Sequence, residues 1–281
     1  SDSGVLYATC AANLEEPMLD VSGKYAAVYD AGGRELFLYA QREEVFSLSL
    51  PAEQPLISAG VNQHGWLAVV TQESGYKGAV TVYNGSHQAV MKVRLSSRFV
   101  LDAAVSPDTR SLAVLTVGLS GGSFDCQVYF YRLDRVDRGG EDNQPDWSCS
   151  LENNTVLDLR WDGSGIWALG ESALCVVSPD GTLTGSYSYD GSYLKAFSLE
   201  GEDSAALLLG RYRAGSSAQL LTVGRDGEVR GSLEFQEQVL SISAAGRYVA
   251  VLTAGRVDIY DRTLESYASL ENVHAARRVI M

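Results

Sequence analysis

The sequence predicts an all-β protein of the β-propeller class, with six complete four-stranded blades and a seventh, partial blade closed by both termini; a six-bladed ring is the alternative. Three observations carry this prediction. A unit of alternating strand, apolar run and alternating strand recurs, most clearly at 18–39, 100–132 and 240–261. A small Ala in the apolar run returns about every 45 residues, a period typical of propeller blades. Gly-containing turns interrupt the strands, and helical periodicity is missing.

Each unit begins with a strand that carries a Leu and continues with one that carries the small Ala. The six Leu are Leu19, Leu56, Leu101, Leu157, Leu194 and Leu240. The six Ala are Ala27, Ala68, Ala113, Ala168, Ala206 and Ala250. Only small side chains let neighbouring blades converge, so we expect all six Ala to be buried. The fourth strands are predicted at 45–50, 89–95, 147–151, 183–189, 229–235 and 264–270.

The turns and chain ends complete this architecture. The dipeptides Asn84-Gly85, Asp162-Gly163, Asp180-Gly181, Asp190-Gly191 and Asp226-Gly227 predict hairpin turns with positive φ. Residues 5–12 and 273–281 predict strands of the partial seventh blade, because pairing both ends removes an exposed edge. A charged, Gly-rich insertion at 134–144 predicts a solvated loop. We expect residues 1–281 to form one domain and the protein to be a monomer.

The net charge is −13, from 22 Lys plus Arg and 35 Asp plus Glu. Such an acidic surface repels phosphate backbones and anionic lipid headgroups, so neither nucleic acid nor a membrane surface is an expected partner. The longest apolar runs fall short of the roughly 20 residues that a membrane span needs.

The four cysteines are Cys10, Cys126, Cys149 and Cys175, and none has the spacing of a zinc site. Cys126 and Cys149 lie on consecutive predicted strands, where a cross-strand disulfide or two buried thiols would both fit. We favour buried thiols, because Cys often packs as a small hydrophobe. The three His share no metal-ligand spacing, and no nucleophile elbow or phosphate loop is present. No cofactor is predicted.

One group of candidate site residues follows the repeated Leu on the innermost strands. It contains Asp20, Ile57, Asp102, Asp158, Lys195 and Ser241. In a propeller these positions would ring one mouth of the central channel. The three carboxylates could bind a cation such as Ca²⁺, which prefers oxygen ligands. Alternatively, each Asp could accept hydrogen bonds from backbone N–H groups of the next blade, the reading we favour because a Ca²⁺ site needs more ligands.

A second group lies on the predicted loops between second and third strands, on the same face. It contains Tyr76, Lys77, Phe124, Arg211, Tyr212 and Arg213. Aromatic and Arg side chains are common anchors of protein interfaces. This loop face is therefore a candidate surface for a protein partner.

The sequence resembles known propeller families at several motifs. SPDTRSLAVLT at 106–116 and SPDG at 178–181 resemble bacterial WD40-like and quinoprotein-like propellers. The segments at 18–39 and 241–261 are similar to an uncharacterised family of Gram-positive bacteria, whose members carry a propeller outside an N-terminal membrane helix. The resemblance implies a membrane-anchored, extracytoplasmic protein whose anchor is absent from this chain; a cytoplasmic location is the alternative.

We therefore expect a non-enzymatic binding or scaffold propeller of unknown ligand. The first alternative is a metal-dependent enzyme or ligand sensor that uses the channel mouth. The second is a structural part of a cell-envelope assembly.

Overall fold

The computed structural model describes residues 13–134, 144–151, 154–273 and 275–281. All regular structure in these ranges is β, in 24 strands that form six four-stranded sheets without any helix. The all-β prediction with six complete four-stranded units is confirmed. Nowhere in the described ranges is there a helix long and apolar enough to cross a membrane.

Each of the first three sequence repeats forms one sheet. Sheet 1 contains β1 (Pro17–Ser22), β2 (Tyr25–Asp30), β3 (Glu35–Ala40) and β4 (Glu43–Ser49). Sheet 2 contains β5 (Leu56–Val61), β6 (Leu67–Thr71), β7 (Gly78–Tyr83) and β8 (Ala89–Leu95). Sheet 3 contains β9 (Phe99–Val105), β10 (Ser111–Ser120), β11 (Ser123–Arg132) and β12 (Trp147–Ser150).

The remaining three sheets follow the same order. Sheet 4 contains β13 (Val156–Asp162), β14 (Gly165–Gly170), β15 (Ala173–Val177) and β16 (Leu183–Ser188). Sheet 5 contains β17 (Tyr193–Ser198), β18 (Ser204–Gly210), β19 (Ala218–Gly224) and β20 (Val229–Phe235). Sheet 6 contains β21 (Ser241–Ala245), β22 (Tyr248–Leu252), β23 (Arg256–Asp261) and β24 (Ser266–Glu271). In every sheet each strand pairs with its neighbour in sequence, as short connections favour.

The described residues divide into two compact units. The first, here the N-terminal unit, holds the residues up to Leu151 together with Trp161–Ser164. The second, here the C-terminal unit, holds Asn154–Arg160 and Gly165–Met281. In both units the apolar cores lie between consecutive sheets, where Val, Leu and Ala from facing strands pack together.

The six repeated Ala are all buried, as the sequence predicts. Four of them are 0% exposed, and Ala206 and Ala250 are 1% exposed. Each lies on the second strand of its sheet, with a hydrogen-bonded strand on both sides. A larger side chain at these positions would have to displace packed neighbours.

We expect Ala250→Leu to lower the free energy of unfolding by roughly 1–3 kcal/mol, because it overpacks a filled core position. Urea denaturation measures the change. Ala268→Leu is the matched control, because Ala250 and Ala268 pair with the same residue, Ile259, from its two sides. Ala268 is exposed, so its substitution should be neutral. Equal effects of the two substitutions would contradict the assigned packing role.

The predicted turn dipeptides behave in two ways. Gly181, Gly191 and Gly227 have positive φ, as predicted. Gly85 and Gly163 do not, and the prediction at these two turns is wrong. At the first of them a side chain explains the difference. The Asn84 side chain accepts hydrogen bonds from the N–H groups of Ser86 and Gln88, and the positive φ moves to His87. A side-chain cap on the turn therefore decides where the left-handed residue falls.

Some sequence predictions fall on residues that the structure does not describe. These are the opening strand at 5–12, Cys10 and most of the insertion at 134–144, of which 135–143 lie outside the described residues. Residues 275–281 form no strand, so the partial seventh blade stays a prediction. Cys126, Cys149 and Cys175 are buried thiols. Cys149 pairs with Val128 rather than with Cys126.

Candidate functional site

Asp20, on β1, is held by the neighbouring sheet. Its Oδ2 accepts a hydrogen bond of 2.7 Å from the N–H of Val61 on β5. Ser198 occupies the corresponding position in sheet 5, since Asp20 faces Ala27 and Ser198 faces Ala206. The Ser198 hydroxyl likewise accepts a 2.9 Å bond from the N–H of Ala244 in the next sheet. Asp20 therefore belongs to a repeated bond between adjacent sheets.

Asp102, on β9, is also bonded within the N-terminal unit. Its Oδ1 accepts 2.8 Å bonds from the Ser58 hydroxyl and from the N–H of Ala103. Asp102 pairs with Leu115, and a β-bulge follows there. Asp102 lies two residues before the partner of the repeated Ala113, whereas Asp20 is itself the partner of Ala27. The two carboxylates thus occupy different heights on their strands, not one layer.

Ile57 lies on β5 in the N-terminal unit, and three further members of this group lie in the C-terminal unit. Asp158 is half-buried on β13. The Ser241 hydroxyl accepts a 3.3 Å bond from the N–H of Val279. Lys195 donates to the carbonyls of Gly215 and Ser217, at 2.6 and 3.3 Å. Among the described residues, no group of three or more His, Cys, Asp and Glu side chains could hold a metal ion.

We expect Ca²⁺ at about 1 mM to leave the melting temperature unchanged, because Asp20 and Asp102 already accept hydrogen bonds and a ligand stabilises only a state that it binds. A thermal-shift titration with Ca²⁺, and with Mg²⁺ as a second ion, makes the measurement. A rise of several degrees that Asp102→Asn abolishes would contradict this expectation.

The loop-face residues of the N-terminal unit differ in exposure. Tyr76 is half-buried, and the Arg94 guanidinium lies 5.8 Å from its ring centroid. Glu73 pairs with Lys92 and Arg94, each at 2.5 Å. Burial opposes the charged form of Glu73, but the hydrogen bonds from the two cations outweigh it and lower the pKa of that carboxyl. Tyr76 therefore packs against an ion-paired network.

Phe124 lies in a different setting, on a hairpin that projects from sheet 3. β10 and β11 have 10 residues each, against 4 to 7 in the other strands. The neighbouring strand β9 reaches only to the partner of Val117, and β12 only to the partner of Gln127. Among the described residues, 118–125 thus pair only with each other and form a two-stranded ribbon.

One face of this ribbon is apolar. Leu119 and Phe124 are direct cross-strand partners and are 72% and 68% exposed. Phe99 is the partner of Val117, so alternation along the strand puts it on the same face, where it is 54% exposed. We call Phe99, Leu119 and Phe124 the tip patch. Residues 118–124 contain no charged side chain.

The opposite face of the ribbon carries a polar clamp. Arg98 Nη1 donates to Asp125 Oδ2 at 2.9 Å, and Nε donates to Thr116 Oγ1 at 2.9 Å. Its Nη2 also donates to the carbonyl of Asp125. The absent side chain of Gly118 leaves room for this arrangement, because a Cβ there would lie 2.7 Å from Nη1. The clamp fixes the base of the hairpin and thereby the position of the tip patch.

The loop-face residues of the C-terminal unit border a cleft of about 850 Å³. Its lining includes the start of β17, residues of the loop between β18 and β19 at 213–216, and residues 238–240. Lys195 and Arg213 line it, whereas Arg211 and Tyr212 lie on the same loop outside the lining. Tyr212 is 66% exposed, and the Arg211 guanidinium lies 5.7 Å from its ring centroid.

Sequence reasoning missed Leu119, Phe99, Arg98 and Tyr193. Two signals could have indicated the first three. In the third repeat unit, the second and third predicted strands are longer than those of the other repeat units. The Gly121-Gly122 dipeptide marks the turn at the end of this longer hairpin. Tyr193 becomes notable only through its contact with Arg213, which no local pattern shows.

A family model matches residues 9–266, and its description is a family of unknown function, DUF5711. The chain belongs to this family. Among curated proteins, none matches the sequence. Membership of a family of unknown function agrees with the resemblance to an uncharacterised family at 18–39 and 241–261.

Solved structures similar to this DUF5711 chain establish its fold. Apo AztD from Citrobacter koseri is 11% identical with a TM-score of 0.61, covering 94% of this chain and 74% of that one. The WD40 repeats of RRP9 are 11% identical with a TM-score of 0.56, covering 92% and 80%. The Pan2 WD40 domain of Neurospora crassa is 10% identical with a TM-score of 0.54, covering 88% and 74%. The chain therefore has a β-propeller fold, and fold likeness alone assigns no activity.

Proposed function

We propose that this protein is a non-enzymatic binding or scaffold propeller that docks a protein partner on the tip patch of Phe99, Leu119 and Phe124. The observation that carries the proposal is the clamped, projecting hairpin, whose two tip side chains are 72% and 68% exposed. Single exposed apolar residues are common on proteins, but a pair at the end of a fixed ribbon is a specific feature.

The hairpin is already ordered for binding. Arg98, Asp125 and Thr116 hold its base through charge-assisted hydrogen bonds, so docking would spend little conformational entropy there. Aromatic side chains that enter a partner's pocket supply much of the affinity of protein interfaces. The partner would therefore present an apolar pocket that receives Leu119 and Phe124.

The surroundings of the patch favour a protein over a phosphate-bearing partner. The chain carries a net charge of −13, which repels nucleic acid and anionic lipid at long range. The tip itself is uncharged, so the contact would depend on apolar burial rather than on charge. Burial of the two large side chains would contribute about 25 cal/mol for each Å² of apolar surface removed from water.

Photocross-linking from position 123 tests the docking surface in cells that produce the full-length protein. A photoreactive residue at Ser123 should give one discrete adduct with a partner protein, and Leu119→Ser with Phe124→Ser should remove it. Tyr267→Ser with Leu270→Ser is the matched control, because this aromatic and aliphatic pair on β24 is 66% and 64% exposed. An adduct that survives loss of the tip side chains, or no discrete adduct, would refute the proposal.

We further propose that the protein works outside the cytoplasmic membrane, joined to it by an anchor in the full-length protein, and as a monomer. The support for the location is the sequence resemblance described above. Protease added to intact cells should degrade an extracytoplasmic propeller and spare a cytoplasmic one. Survival of the protein in intact cells, with degradation after lysis, would favour the cytoplasmic alternative.

A further inference from the structure

The cleft of the C-terminal unit has the size and lining of a ligand site, independently of the tip patch. Its volume of about 850 Å³ lies within the usual range of small-molecule pockets. Its apolar surface is formed by Leu157, Leu194, Ala196, Leu208, Val239 and Leu240. Two of these side chains are unusually exposed for their type, Leu157 at 53% and Leu240 at 39%.

Lys195 is placed at the cleft by a β-bulge. The pairing of β17 with β18 passes from Leu194 to Ala196, so Lys195 is the extra residue. Its aliphatic chain crosses Gly210, where a Cβ would lie 2.1 Å from Lys195 Cε. The ammonium group donates to the carbonyls of Gly215 and Ser217, at 2.6 and 3.3 Å. An ammonium has three donors, so these bonds leave one for a ligand.

Arg213 forms the second cationic wall. Its guanidinium lies 5.4 Å from the ring centroid of Tyr193, and this cation–π contact orients it at the cleft. Glu171 is the one acidic side chain in the lining. The chain as a whole has a negative net charge, whereas the charged side chains in the cleft lining are two cations and one carboxylate.

We propose that this cleft binds a carboxylate joined to an apolar group, with the acid group between Arg213 and Lys195 and the apolar group on the leucine and valine side chains. A guanidinium binds a carboxylate through two parallel hydrogen bonds, and the adjacent ammonium adds charge. The open form of the cleft fits either a free organic acid or the C-terminal residue of a peptide. Both sources share the same recognised chemistry.

Isothermal titration calorimetry with three probes tests the site. The probes are N-acetyl-Leu-Phe as the free acid, the same dipeptide as its C-terminal amide, and 4-phenylbutyrate. We expect saturable binding of the dipeptide acid and at least a tenfold weaker affinity for the amide, because charged hydrogen bonds contribute the discrimination. Binding of 4-phenylbutyrate with similar affinity would identify organic acids in general as ligands, and binding of the dipeptide acid alone would identify a peptide terminus.

Two variants locate the binding. Arg213→Gln should weaken binding of the dipeptide acid by about tenfold or more. Arg211→Gln is the matched control, because it removes the same charge from the same loop but outside the lining. Both residues are exposed, so both variants should remain folded. Equal affinity for acid and amide, equal losses in the two variants, or no binding up to about 10 mM would each overturn the proposal.

Discussion

Gly185→Ala should lower the free energy of unfolding by about 3 kcal/mol or more, although it adds a single methyl group. Gly185 is buried on β16, where sheet 4 meets the last turn of sheet 5. A Cβ there would lie 2.3 Å from the carbonyl oxygen of Arg225 and 2.7 Å from the nitrogen of Gly227. These are backbone atoms of a fixed turn, so the clash cannot be relieved by a side-chain rotation.

The contact is reciprocal, since a Cβ on Gly227 would lie 2.5 Å from the carbonyl oxygen of Ser186. Strand propensity alone favours the opposite result, because Gly is a poor strand former. Gly255→Ala is the control, because no atom lies within 4 Å of its Cβ position and its φ is not in the left-handed region. Urea denaturation should separate the two variants. Similar stability of both would show that the sheets do not approach closely at Gly185.

Arg98→Met should lower the free energy of unfolding by about 3–5 kcal/mol, because it leaves the Asp125 carboxylate nearly buried without its cation. The Arg98 and Asp125 side chains are only 11% and 13% exposed. Met retains much of the apolar stem, so the loss reports mainly on the charge. The tip of the hairpin should also become more susceptible to proteolysis, since its clamp is gone.

Two comparisons make the Arg98 result specific. Arg230→Met breaks an exposed pair with Asp226 and should not change the denaturation midpoint measurably. Adding Asp125→Leu to Arg98→Met should restore part of the stability, because no unpaired carboxylate remains. If the double variant is no more stable than Arg98→Met alone, the buried charge is not the cause.

Much of the fold could be predicted from the sequence because propeller sheets are built from local, repeated patterns. The small Ala had to lie where sheets converge, and all six are buried. The fourth strands follow from alternation, and two of them, β8 and β20, begin and end where the pattern indicates. Neighbouring strands in sequence are neighbours in space, so short-range signals were sufficient.

The candidate sites depended on contacts that no local pattern contains. Asp102 and Asp20 pair at different heights relative to the repeated Ala, and Lys195 is the extra residue of a bulge, with its side chain across Gly210. One extra residue in a strand moves every later side chain to the opposite face of the sheet. The alternation of apolar and polar residues in the sequence does not show where such a residue lies.

The sequence by itself thus determined the strand order, the buried Ala and the acidic surface of this protein. The tertiary structure decided which exposed residues act together. It placed Leu119 beside Phe124 above the clamp of Arg98, and Arg213 over Tyr193 at the cleft. The physical reason is that short stretches of sequence determine strands and turns. A binding surface, in contrast, consists of side chains that come together only after the sheets have packed.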